Sequence, residues 1–398
     1  MKTESVSLPP GSHERSEPGG DDVAPSLPRF AWNRREVAGA VGDLGTFLPH
    51  IIGAITVAGM APTGVLSSFG LFYLVAGLFY GVPMGVQPMK AASAVLLIVP
   101  MTPTQVAGAG IVIGAVFFVI GVTGLVSRMA AAIPATVAAG IQLGLGLSLA
   151  GLGVRLLQEQ LWLGLLISVV TVLLLGNQRL PAALVAVGLG IVLAQITGTG
   201  APLPHLTLGI HVPSLVQPTW EDVLRGTELA VLPQIPLTLT NAVVATAAVT
   251  RQLLPQRSGR VTERNLAITT GLGNLIAAPF GGYPMCHGAG GIAGHYRFGA
   301  RTGAAPVLIG IAFLAMGILL GDSAFALLAL VPPAVLGSLL FFSGIELAVS
   351  SAPQRFAGHD LFPLLVVAAL CVTANPAIGF VVGMLWAVAV RRGWLRFD

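Results

Sequence analysis

The sequence predicts an all-α polytopic membrane protein of about fourteen transmembrane segments, arranged as two inverted repeats of seven. Three observations predict it: a composition too apolar for water, an ordered series of apolar segments, and motifs that recur at a near-constant distance. Of 398 residues, 55% are apolar and 9% charged, with mean hydropathy +0.86, where a soluble domain carries roughly 25% charged residues. Lipid must therefore solvate most of the surface. The 51 glycines and 28 prolines suit helices that pack closely and break within a membrane. A β-barrel would alternate apolar and polar residues, whereas runs such as 108–126 are continuously apolar, which leaves helices as the spanning element.

Residues 1–28 are rich in Pro, Ser, Gly and acids and lack an apolar core, so they read as a disordered cytoplasmic tail and not a signal peptide. The first repeat, 29–198, contains apolar segments at about 34–60, 61–82, 88–101, 104–126, 131–152, 157–176 and 180–198. A wetter connection over 199–225, with Pro202, Pro204, Pro213 and Pro218, reads as extracytoplasmic. The second repeat, 226–398, has segments at about 226–250, 262–278, 285–298, 303–321, 323–345, 360–374 and 376–392. Segments 88–101 and 285–298 fall short of the ~20 residues a full span needs.

The halves match at three places. Gln87-Pro88-Met89-Lys90 aligns with Tyr283-Pro284-Met285-Cys286, Pro134-Ala135-Thr136-Val137 with Pro332-Pro333-Ala334-Val335, and Pro181-Ala182-Ala183 with Pro376-Ala377-Ile378. The same order at nearly the same offset indicates duplication. An odd number of spans per half makes the repeats inverted, and a short Pro-interrupted segment in corresponding positions marks a transporter's binding site. Basic residues test the topology, because cytoplasmic loops collect Lys and Arg. With the N-terminus inside, 17 of the 20 fall on the inner side, Arg179 and Arg396 among them. Arg155 and Arg225 fall outside, and Lys90 lies within the membrane. Both termini are then cytoplasmic. The net charge of +4 is scattered singly through short loops and is no nucleic-acid signal. Cys286 and Cys371 lie in separate apolar segments and make no disulfide framework.

Lys90 is one of two lysines and sits in the first turns of a short segment that begins near Pro88. A lysine at membrane depth costs about 3 kcal/mol on insertion scales. It reads as an anion clamp or as a lysine snorkelling to the inner interface. The matching half-helix starts near Pro284 and continues Cys286, His287, Gly288, Ala289, Gly290, Gly291. Small residues there let backbone amides approach a ligand or let helices pack tightly. Two helix N-termini at roughly +0.5 each plus Lys90 total about +2, which suits a tetrahedral dianion. Asp43, in Gly42-Asp43-Leu44-Gly45-Thr46, either carries a coupling proton or cation, or is a structural partner of backbone or Lys90. Its counterpart region is Thr238–Asn241, where the amide of Asn241 replaces the acid. Glu228 and Glu346 lie near segment ends and read as interfacial, with Glu228 a second proton-site candidate. Cys286-His287 supplies too few ligands for a closed zinc site, and no Ser-His-Asp or H-E-x-x-H pattern occurs, so neither cofactor nor catalysis is expected.

Together Gly42-Asp43-Leu44-Gly45-Thr46, Val86-Gln87-Pro88-Met89-Lys90 and the stretch from Pro284 through Gly291 to Tyr296–Gly303 resemble the molybdate transporter family, a branch of the sulfate permease (SulP-like) superfamily. The resemblance covers about 34–392. It implies a uracil-permease-like fold of seven plus seven inverted helices, with a mobile core domain and a gate domain. It further implies substrate between the third and tenth half-helices, an elevator-like motion and a homodimer. Residue by residue it carries Gln87, Lys90, Cys286, His287 and Gly288 as substrate-binding. His295 stands where a glutamine is expected, and Gly85 where a proline is expected. No regulatory STAS domain is expected after Asp398. The resulting expectation is secondary, proton-driven uptake of molybdate across the cell membrane. The rivals are a sulfate or broad oxyanion permease, a nucleobase permease of the same fold, a channel-like conduit, and a membrane-embedded Cys/His enzyme.

Overall fold

A computed structural model describes residues 28–177, 180–351, 355–356, 358–392 and 394. The tail expected over 1–28 (its last residue apart), Arg179 and Arg396 lie outside the described residues. In the first half the helices are α1 (Arg34–Ala40), α2 (Leu44–Thr56), α3 (Pro62–Tyr80), α4 (Lys90–Ile98), α5 (Pro103–Thr123), α6 (Val126–Ala132), α7 (Ala135–Leu157), α8 (Leu161–Leu174) and α9 (Ala182–Ile196). In the second they are α10 (Trp220–Gly226), α11 (Leu232–Leu237), α12 (Ala245–Leu253), α13 (Glu263–Ala277), α14 (Ala289–Arg297), α15 (Ala304–Ala315), α16 (Asp322–Leu328), α17 (Pro333–Ser350), α18 (Leu361–Thr373) and α19 (Pro376–Arg391). Strand β1 (Val86–Pro88) precedes α4 and β2 (Met285–His287) precedes α14.

Local sequence sets most boundaries. Asn33 caps α1 by accepting from the amides of Arg35 and Glu36, and Thr102 and Gln105 form a capping box on α5. Pro62, Pro103, Pro333 and Pro376 stand where a missing N–H is harmless. The first span is α1 and α2 joined by a 3₁₀ turn at Val41–Asp43. Its counterpart runs from α10 to α12 through π turns at Thr227–Val231 and Thr238–Val244. Both spans depart from regular α-helix, one at a 3₁₀ turn and the other at two π turns. A short helix, α6 or α16, precedes the long α7 or α17 in each half.

The packing carries the inverted symmetry. Helix α3 packs on α15 and α5 on α13, and exchanging the two halves maps one pair onto the other. Helix α7 packs on its own counterpart α17. Glycines let these backbones meet: a Cβ on Gly146 would lie 2.5 Å from the Ala348 nitrogen, and one on Gly153 2.5 Å from that of Phe341. With lipid outside, such close packing supplies the association that the hydrophobic effect supplies in water. Helices α1–α5 and α10–α15 form the core domain around β1 and β2; α7–α9 and α17–α19 form the gate. The half-helices begin later than the prolines suggest. Pro88 and Pro284 sit in or before a strand, and helix starts only at Lys90 and Ala289.

Candidate functional site

Proline pushes the residue before it into extended backbone, so Gln87-Pro88 and Tyr283-Pro284 cannot continue a helix. The freed backbone groups must pair inside the membrane. They do so by forming a two-stranded antiparallel ribbon, with Val86 opposite His287, Gln87 opposite Cys286 and Pro88 opposite Met285. The Met89 amide donates to the Pro284 carbonyl at 2.9 Å and the Gly288 amide to that of Gly85 at 3.3 Å, closing both ends. From this ribbon α4 and α14 depart, and a cavity of about 240 Å³ opens beside their starts. Gln87, Lys90, Asn241, Cys286, His287 and Gly288 all line it.

Lys90 is the first residue of α4 and is partly exposed to this cavity. Among the described residues no hydrogen-bond or ion-pair partner of its ammonium is recorded. It opens onto a cavity between the core and gate helices. The α4 amides have a different fate from the one sequence suggests. Gln234 Oε1, on α11, accepts from the amides of Ala91 at 2.8 Å and Ala92 at 3.0 Å, and its Nε2 donates to Thr238. Helix α4 thus lends its field to the cavity while two of its donors are taken. Helix α14 has no side-chain cap. A Cβ at Gly288 would collide with Gln87 Oε1, so only glycine leaves that approach open.

Gln87 links the cavity to a buried polar cluster. Its Nε2 donates to Asp43 Oδ1 at 2.6 Å and to Thr46 Oγ1 at 2.7 Å. Thr46 donates to Asp43 Oδ1 at 3.0 Å and Tyr73 donates to Oδ2 at 2.6 Å. Asp43 is 1% exposed, and the basic atom nearest to it is His295 Nε2, 3.9 Å from Oδ2. Lys90 is not its partner.

Cys286 and His287 are successive strand residues and point to opposite faces of the ribbon. The imidazole of His287 is fully buried, with Nε2 2.8 Å from Thr269 Oγ1 and the rings of Phe72 and Tyr80 packed on it. Cys286 faces the Gln87 side, so the two cannot act as a nucleophile and its base. Glu228 is in a half-exposed pair with Arg225 at 2.9 Å and does not line the cavity. Glu346 does: α17 brings it to the cavity wall from the gate. Sequence reasoning also missed Gln234, although an amide flanked by Pro233 and Pro236 in an apolar span was a usable signal. His50, with Nδ1 2.6 Å from Ser93 Oγ and Nε2 2.9 Å from Ser343 Oγ, ties α2 and α4 to the gate helix α17.

Residues 35–149 and 227–347 match the family model described as "Molybdate transporter of MFS superfamily". The chain is 33% identical to molybdate transporter 2 of Arabidopsis thaliana over 91% of both chains, and 33% identical to molybdate transporter 1 of the same plant over 91% of this chain and 88% of that one. The chain belongs to the molybdate transporter family. It is a membrane transporter and not an enzyme. Its fold is that of the transmembrane domain of the cyanobacterial bicarbonate transporter BicA, with TM-score 0.68 at 18% identity, covering 87% of this chain and 97% of that one. SLC26A9 superposes with TM-score 0.69 at 13% identity over 92% of this chain and 66% of its own. The family description names the MFS superfamily, whose halves contain six spans each. Seven spans per half and two ribbon-linked half-helices set this molybdate transporter relative in the SLC26-like fold instead.

Proposed function

We propose that this chain is a secondary active transporter that takes up a tetrahedral oxyanion, molybdate, with sulfate as the alternative substrate. The observation that carries the reading is Lys90: an ammonium with no recorded protein partner, opening on the cavity at the base of α4 and beside the uncapped start of α14. A cation within a membrane-spanning domain left unpaired by its own protein is a cost that a bound anion offsets. Lys90 at +1 and the α14 N-terminus at roughly +0.5 meet most of a dianion's charge, with α4 adding field alone. Gln87, Cys286, Gly288 and the backbone at His287 complete the wall. The names of the relatives favour molybdate over sulfate, which shares its charge and shape.

The cavity lies between core and gate, which supports an elevator-like movement of the core with its half-helices against the gate. Repeats over 29–198 and 226–398 follow the matched motifs, and an extracytoplasmic connection over 199–225 and cytoplasmic termini follow the distribution of basic residues. A homodimer in the cell membrane and proton coupling complete the proposal. Trace molybdate uptake into proteoliposomes, with and without an inward proton gradient and challenged by excess sulfate, tests it. Saturable, gradient-driven uptake that resists sulfate is expected. Uptake abolished by sulfate at comparable concentration makes the chain a broad sulfate-type permease, and no uptake of either overturns the substrate.

A further inference from the structure

The geometry points to Asp43 and His295 as a proton-binding site joined to the oxyanion cavity through Gln87. Three donors converge on the Asp43 carboxylate: Gln87 Nε2, Thr46 Oγ1 and Tyr73 OH. That arrangement suits an ionised acid, yet the carboxylate is 1% exposed and no lysine or arginine nitrogen pairs with it among the described residues. The basic atom that faces it is His295 Nε2, 3.9 Å from Oδ2, on a side chain with no exposure. His295 Nδ1 lies 2.7 Å from the Gly39 carbonyl, which accepts only, so Nδ1 carries a hydrogen. In the neutral ring Nε2 is then a bare lone pair aimed toward a carboxylate, and it has no hydrogen-bond partner. One proton removes the uncompensated charge, either on nitrogen as an imidazolium 3.9 Å from the carboxylate or on the acid itself. Unprotonated, the pair leaves a buried charge without a counter-charge and a buried acceptor without a donor.

The surrounding glutamate and arginines are engaged elsewhere. Glu36 on α1 accepts from the amides of Arg301, Thr302 and Ala305. Arg251 on α12 pairs with Glu263. On and after α14, Arg297 donates to the carbonyls of Gly176 and Asn177, and Arg301 donates to those of Tyr296 and Ala300 while lying over the Tyr296 ring. Tyr73 is already a donor to Asp43, its ring edge against His295, and Lys90 opens on the cavity. The helix face that carries His295 is cut to fit this neighbour: a Cβ at Gly291 would lie 2.6 Å from Asp43 Oδ2. Gln87 hydrogen-bonds Asp43 and walls the cavity, so anion and proton act on one side chain from opposite ends.

This inference rests on the proton-coupled reading above and names the group that binds the proton. The test is nitrogen-15 histidine NMR of the full chain in lipid, the His295 signals assigned by their loss in His295→Gln and compared at one pH with and without molybdate. Molybdate is expected to favour the form protonated at Nε2 roughly 5- to 150-fold, an ordinary coupling strength, and Asp43→Asn to abolish that response. An Nε2 that stays bare with and without molybdate, in protein that transports it, overturns the site. A protonated Nε2 indifferent to molybdate, in protein that transports it, overturns the link through Gln87. A protonated Nε2 in protein that binds no molybdate supports the proton site and removes the substrate reading instead.

Discussion

Replacing Lys90 by methionine keeps the length of the side chain and removes its charge. In the wild type the ammonium has no recorded protein acceptor, so the interaction it offers is spent on whatever occupies the cavity. A hydrogen bond to a charged partner contributes about 1.5–3 kcal/mol, which corresponds to roughly 10- to 150-fold weaker oxyanion binding. The same argument gives an opposite sign for stability. A lysine at membrane depth costs about 2.5–3.5 kcal/mol on insertion scales, less where a cavity admits water. Lys90→Met without substrate therefore unfolds at a higher temperature than the wild type, while the stabilisation that added molybdate provides largely disappears. Equilibrium binding and thermal unfolding of the detergent-purified chain, with and without molybdate, read both effects. Unchanged affinity refutes the clamp. A variant that is less stable without substrate refutes the premise that the ammonium lacks a protein partner.

Gln234→Glu keeps an acceptor for the Ala91 and Ala92 amides but adds a negative charge to the cavity wall, so molybdate KM rises while the unfolding temperature changes little. Gln234→Leu, which strands two buried donors, lowers stability by about 2–4 kcal/mol, read by thermal unfolding. Glu346→Gln removes a like charge facing the anion, so affinity increases severalfold at low salt and the gain shrinks as ionic strength rises. Gly291→Ala forces a methyl to within 2.6 Å of Asp43 Oδ2 and 2.7 Å of the Gly85 Cα. Backbone on one side and a saturated carboxylate on the other leave little room to relax, so it costs about 1–3 kcal/mol in unfolding measurements.

Composition and segment length were enough to define a fourteen-span membrane protein, because lipid accepts only closed hydrogen-bonding elements and each must be apolar over a known length. Pro88 and Pro284 marked the broken spans for an equally local reason: proline and the residue before it cannot propagate a helix. Repetition at a constant offset showed that the two breaks correspond. The partners were not legible. Gln234 reaches amides 143 and 142 residues away, and Gln87 reaches Asp43 across 44. Within an apolar span, periodicity says that a side chain is buried and leaves open which helix it meets. Asp43 read as a coupling group or a structural one, and the packing of α14 on the Val41–Asp43 turn set His295 against it. Glu346 stands near the end of its segment, and only the seating of α17 against the core shows that it reaches the cavity wall. The local chain chose where the helices break; the packing of glycine-lined helices across two inverted halves chose which polar groups meet there.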